Sequence, residues 1–189
     1  MAVSICAFNS TELSDQELID DGLNLFVDWE LSDMFSDLLI SRDTATGIEP
    51  GELDQIAQIV NLDVETIFQM SNYWDREQEA EHLSRLTNEA DKAKQLEIIQ
   101  KNNDSLIGNI DKVYETLQLL ETGILGTANL ETLLTKSNAE FYDDNQYFST
   151  ENKPYHSRLI NDLVKMKEFI EFVKPLDADT VYFKFKTVY

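Results

Sequence analysis

Apolar positions along the chain fall into helical spacing over most of its length. Ser14 with Glu17 three residues on makes a capping-box pattern, and a first short helix is predicted from there to Gly22. A second helix follows with Val27, Leu31, Met34, Phe35 and Leu38 on one face. Residues 42–49 read as a loop. Pro50 suits a helix start, and Leu53, Ile56, Ala57 and Val60 form the stripe of the helix it opens. Asn61-Leu62-Asp63 is a tight turn, with Asp63 capping a helix that carries Val64, Ile67 and Phe68.

Two long helices are predicted next, with Leu83, Leu86, Ala90, Ala93 and Leu96 on one seam. The other seam is Leu106, Ile110, Val113, Leu117, Leu120 and Ile124. Asn102-Asn103-Asp104-Ser105 supplies turn and cap residues between them. The pattern predicts an antiparallel helical hairpin with its seams facing. Asn129 caps a short helix through Leu133 and Leu134, and a last long helix carries Leu159, Leu163, Met166, Ile170 and Val173 up to Pro175.

The period changes at both ends. Val181, Phe183 and Phe185 alternate with Tyr182, Lys184 and Lys186, a period-2 strand that can pair with residues 3–8. The expected fold is therefore mostly α: a helical bundle around a long antiparallel hairpin, with a small two-stranded β ribbon from the termini. The length predicts one domain, 1–189.

Composition narrows the function classes. The 189 residues include 36 acidic and 15 basic ones, for a net charge of −21. Such a chain repels phosphate and anionic lipid surfaces, so direct nucleic-acid and membrane binding are disfavoured and a basic protein is the expected partner. The acidity is uneven. Residues 1–50 hold 11 acids and one base, Arg42, whereas residues 151–189 hold six acids and seven bases. Neither a signal peptide nor a run of about 18 apolar residues is present, which predicts a cytoplasmic protein. The composition leaves the oligomeric state undetermined.

Candidate chemistry is sparse. Cys6 sits in an apolar stretch and reads as core packing. Glu79 and His82 make a Glu-x-x-His, but a di-iron site needs a second copy, and three residues before His156, the only other histidine, stands Lys153. The motif therefore reads as an exposed charged turn. Residues 43–54 carry acids at both ends of a 12-residue stretch, yet Ala45, Gly47 and Ile48 occupy positions where an EF-hand requires oxygen ligands or the glycine. No phosphate loop or zinc motif appears. No catalytic residue, metal site or cofactor is predicted.

Residues 53–72 resemble a helix-turn-helix, with Ala57 at the tight packing point and Asn61 at the turn. Its second helix opens on Asp63 and Glu65 and meets no base before Arg76, so a packed helical corner is the better expectation. A helix-turn-helix transcription regulator using residues 50–72 is the alternative.

The feature favoured as a site is the acidic N-terminal face. Glu30, Asp33 and Asp37 are predicted on one helical stripe, with Asp20, Asp21 and Asp28 just before it, and no Lys or Arg occurs in residues 1–41. Like charges a turn apart cost a helix about 0.2–0.5 kcal/mol per pair, a repulsion a basic partner would relieve. A second candidate surface is the 138–154 loop, where Tyr142, Asp143, Asp144 and Tyr147 mix rings with acids.

The run from Tyr147-Phe148 through Asp162-Leu163 and Phe169-Ile170-Glu171-Phe172 to Asp179-Thr180-Val181-Tyr182-Phe183 resembles the C-terminal part of small bacterial proteins. Some of those resemble immunity proteins of polymorphic toxin systems. The resemblance implies an inhibitor of a basic toxin and assigns no residue a role.

Overall fold

The computed structural model describes residues 2–11, 28–40, 50–135, 147–149 and 158–186. The predicted helix over 14–22, the loop at 42–49 and most of the 138–154 loop lie outside them.

The described chain is mostly helical, with a small antiparallel sheet formed near its two ends. Strand β1 (Ala2–Phe8) pairs along its whole length with β3 (Thr180–Lys186), in the register Val3↔Phe185, Ile5↔Phe183 and Ala7↔Val181. The period-2 pattern thus predicts both the strand and its partner. The sheet has three strands rather than two, because β2 (Trp29–Glu30) adds to the other edge of β1 in the order β2-β1-β3. This corrects the two-stranded ribbon.

Val3, Ile5, Ala7, Val181 and Phe183 face the main core, where Phe183 meets the Phe35 ring edge-on at 5.6 Å. The opposite face is covered as well. Ser4 and Cys6 are buried there, and the Tyr182 ring packs 4.1 Å from that of Tyr73. The outer edge of β3 is closed by a side chain. The Asn109 carboxamide accepts from Val181 N–H at 2.8 Å and donates to the Val181 carbonyl at 2.9 Å, mimicking a neighbouring strand.

Helix α1 (Asp33–Ile40) starts after β2, so Leu31 precedes the helix it was expected to join. Helix α2 (Glu52–Val60) and α3 (Glu65–Gln69) form the predicted corner. Asn61 turns it at φ 54°, and Leu62 N–H reaches back to the Ala57 carbonyl at 2.9 Å. A 3₁₀ turn (Met70–Asn72) leads to α4 (Arg76–Ser84).

The predicted hairpin is not formed. Its first arm is two helices, α4 and α5 (Glu89–Leu106), divided where Asn88 caps the second with a 2.9 Å bond from Ala90 N–H. Helix α5 runs straight through Asn102–Ser105, and the turn falls at Ile107–Asn109 instead, with Gly108 at φ 74°. Only Ile99 and Leu106 of α5 are buried, and Leu96 is 42 % exposed. Its packing is against α4, the 3₁₀ turn and β3.

The main helix pair is α6 (Ile110–Leu125) with α8 (Leu159–Val173); a short α7 (Leu130–Leu133) lies between them in sequence. Their predicted stripes are buried as expected, from Ile110 to Ile124 and from Leu159 to Val173. Lys167 of α8 pairs with Glu121 of α6 across the contact. The other side of α6 packs on α2 and α3. No described helix is long and apolar enough to cross a membrane.

Candidate functional site

Asp28, Glu30, Asp33 and Asp37 run along a strand-to-helix segment, not along one helix. Glu30 belongs to β2, and only Asp33 and Asp37 share α1. Asp28, Glu30 and Asp33 are exposed and Asp37 is half-buried. Asp33 in the first turn is favoured by the helix dipole. Asp37 is not: partial burial pushes its carboxyl above the ordinary range, against the opposing pull of the chain's N-terminal positive charge, with the Asp33 charge one turn away adding a smaller push upward. Among the described residues, no Lys or Arg makes an ion pair with the carboxylates of Glu30, Asp33 or Asp37. Lys165 comes near, but its ammonium meets the Glu30 main-chain carbonyl. Asp20, Asp21, Tyr142, Asp143 and Asp144 lie outside the described residues.

Tyr147 is at a different kind of place from the one expected. It is 3 % exposed, its ring meets Phe148 at 5.2 Å, and its hydroxyl donates to Asp162 Oδ2 at 3.0 Å. This end of the loop plugs the core, and Tyr147 presents no surface to a partner. Asp162, 4 % exposed, also accepts from Ser32 N–H at 2.9 Å and Ser32 Oγ at 2.5 Å. Ser32 Oγ in turn accepts from Phe35 N–H at 3.2 Å, capping α1. The buried carboxylate therefore sets where the acidic segment leaves the sheet and becomes a helix. No periodicity announces a buried Asp162, because it sits in a helical stripe otherwise made of apolar residues.

The α2–α3 corner holds a shallow depression of about 380 Å³ whose wall includes Asp54, Asp63 and Glu65 and no base. Asp63 is occupied in the turn, accepting from Glu65 N–H at 2.9 Å. Carboxylates at this mouth repel the phosphates that a helix-turn-helix reader must hold.

A second cleft, also of about 380 Å³, lies between the 3₁₀ turn, α4 and the end of β3, and periodicity did not point to it. Tyr73, Trp74, His82 and Phe185 line it together with Gln78, Glu81 and Arg85. Local structure holds these walls in place. Asn103 accepts from Trp74 N–H and donates to its carbonyl, both at 2.9 Å. Asp75 and Gln78 form a reciprocal capping box at the start of α4, and Asp75 pairs with Lys184 at 2.6 Å. The His82 ring lies 4.9 Å from Trp74, so the Glu-x-x-His histidine packs on an aromatic wall. Burial, with Asp75 adding to it, pushes the Tyr73 hydroxyl up to about 12. The available signal was Tyr73-Trp74-Asp75 itself, two large rings and a cap residue between helices.

Among the described residues no three His, Cys, Asp or Glu side chains gather as a metal site would require. Comparison of the chain with protein-family models, curated proteins and solved structures gave no match.

Proposed function

We propose that this chain is a non-enzymatic acidic binding protein that docks on, and thereby inhibits, a basic partner protein, as an immunity protein or a DNA mimic does. The supporting observation is the α1 pair: Asp33 and Asp37 stand one turn apart, without a Lys or Arg partner among the described residues, and burial raises the Asp37 carboxyl more than the chain's N-terminal charge lowers it, so that its charge is held at a cost to the fold. A cationic group from a partner offsets that cost on binding. The net charge of −21 steers a basic protein toward the chain before contact. The mechanism is steric blocking with charge complementarity. Asp28 and Glu30 extend the same segment.

The test is affinity capture from the native host lysate at low and high salt, followed by binding of the captured protein to Asp33→Asn/Asp37→Asn and Asp33→Lys/Asp37→Lys variants. A basic protein is expected, released by salt, with affinity falling from wild type to the neutral and then the reversed variant. No basic protein at low salt, salt-insensitive binding, or equal affinity for all three chains would refute the reading.

A further inference from the structure

The cleft beside Trp74 has aromatic walls and, among the described residues, one lining carboxylate, Glu81. It also already takes a guanidinium: Arg85, one turn along α4, lines the cleft with its Nη2 on Glu81 Oε1. That pair is solvent-exposed, 72 % and 64 % by side chain, so it is worth only about 0.2–1 kcal/mol and exchanges easily. The walls are rigid, because Asn103 fixes the Trp74 main chain from both sides and Tyr73 is packed on Tyr182. A ligand therefore orders little when it enters. Phe185, partly buried against the core, closes the end of the cleft.

We propose that this cleft is the anchor site for an arginine side chain of the basic partner, its guanidinium laid against the Trp74–Tyr73 wall and paired with Glu81 in place of Arg85. A guanidinium matches the lining better than an ammonium. It is planar, weakly hydrated on its faces and carries donors only at its rim, so one group can stack on rings and bond a carboxylate. A cation is preferred over a neutral planar or sugar-like ligand because the field of a −21 chain concentrates cations at its surface. The proposal rests on the reading above only for the partner's basic character.

The test needs no partner. The ¹⁵N-labelled full chain is titrated with Nα-acetyl-arginine amide, and in parallel with the citrulline analogue, which replaces the guanidinium by a neutral urea of the same shape. Trp74→Phe assigns which of the two indole N–H signals is Trp74. The arginine compound is expected to shift the Trp74 signal saturably, and the citrulline compound to shift it far less. Glu81→Gln should weaken binding about threefold and Arg85→Ala should tighten it about threefold, the scale of one exposed ion pair. Equal response to both compounds, no saturable shift, or weaker binding by Arg85→Ala would overturn the proposal. If the acidic-face variants fail to alter partner binding, this titration still stands; if the titration fails, the acidic face is untouched.

Discussion

Replacing Asp162 tests whether one buried carboxylate organises the segment that carries the acidic face. It accepts three hydrogen bonds, from Ser32 N–H, Ser32 Oγ and the Tyr147 hydroxyl, at 4 % exposure. Asp162→Ala leaves Ser32 N–H and the Tyr147 hydroxyl buried without their acceptor, at about 1–3 kcal/mol each. Ser32 Oγ keeps its role as acceptor for Phe35 N–H, so its loss is smaller. Removing a desolvated charge returns part of the cost. The net expectation is a destabilisation of about 2–4 kcal/mol, and about 1–2 kcal/mol for Asp162→Asn, which keeps one acceptor oxygen. Tyr147→Phe alone should cost about 1 kcal/mol, and should recover about 1 kcal/mol or more when Asp162 is already Ala, because it removes the hydroxyl that has lost its Asp162 acceptor. The assay is urea unfolding followed by tryptophan fluorescence, with Trp29 next to this network, stacked 5.9 Å from Phe172 of the same helix α8. An Asp162→Ala cost below about 1 kcal/mol, or full additivity with Tyr147→Phe, refutes the reasoning.

Two further predictions follow from close contacts and titration. A Cβ on Gly123 of α6 would stand 2.7 Å from Val60 Cβ of α2, so Gly123→Ala should destabilise by about 1–2 kcal/mol despite its better helix propensity. Val60→Ala in the same chain removes the Cγ contacts at 2.9 and 3.3 Å but keeps the Cβ at 2.7 Å, so it should restore only part of the loss; thermal unfolding of the four chains checks this. Burial would raise the Asp179 carboxyl, but hydrogen bonds from Ser10 and Thr180 hold it below the ordinary range. A lowered folded value means that its stabilising contribution is present above the unfolded value of about 3.9 and is lost as pH falls through the folded one. The stability gap between wild type and Asp179→Asn should accordingly be full at pH 7 and shrink below about pH 4; a gap independent of pH counts against it.

Those features that depend on near neighbours were legible in the chain. Val181, Phe183 and Phe185 alternate because one face of β3 packs on the apolar core, and the α6 and α8 stripes are continuous because each helix packs along one side. The missed hairpin shows where composition misleads. Asn103 looks like a turn residue, yet it sits inside α5 because its carboxamide is used on the Trp74 backbone, a contact 29 residues away. The spacing from Leu83 to Leu96 carried the pattern across the Asn88 cap, although those residues belong to two helices. Gly108, the one described glycine with positive φ, marks the true turn. Strand β2 was hidden because two residues are too few to show a period, and its pairing with Ser4 and Ile5 is a long-range event. Asp162 was illegible for the same reason, its partner Ser32 lying 130 residues away, whereas the Trp74 cleft is lined mostly by residues 71–85 and lacked only a periodic pattern to mark it.

The described carboxylates divide by what they touch, and the division bears on function. Asp162, Asp179, Asp75 and Asp63 accept N–H bonds and hold turns, caps or the sheet termini in place. Glu121 and Asp111 are paired to lysines of or just beyond α8, Asp111 at 2.5 Å. Asp33 and Asp37 do neither among the described residues, and Asp37 is half-buried, where an ionised carboxyl works against folding. A charge kept only for solubility costs least when fully exposed, as on α5, where Glu89, Asp91 and Glu97 stand in solvent. A half-buried Asp37 one turn from an exposed Asp33 is the placement expected of a group that meets a cation on binding. By the sign of its shift, the penalty at Asp37 is full above the raised folded value, declines as pH falls through it, and is gone below the unfolded carboxyl value. Asp37→Asn should therefore raise stability at pH 7 while weakening the partner complex, and the gain should vanish in acid. A solubility role predicts the first effect without the second, so measuring both on one variant separates the two explanations.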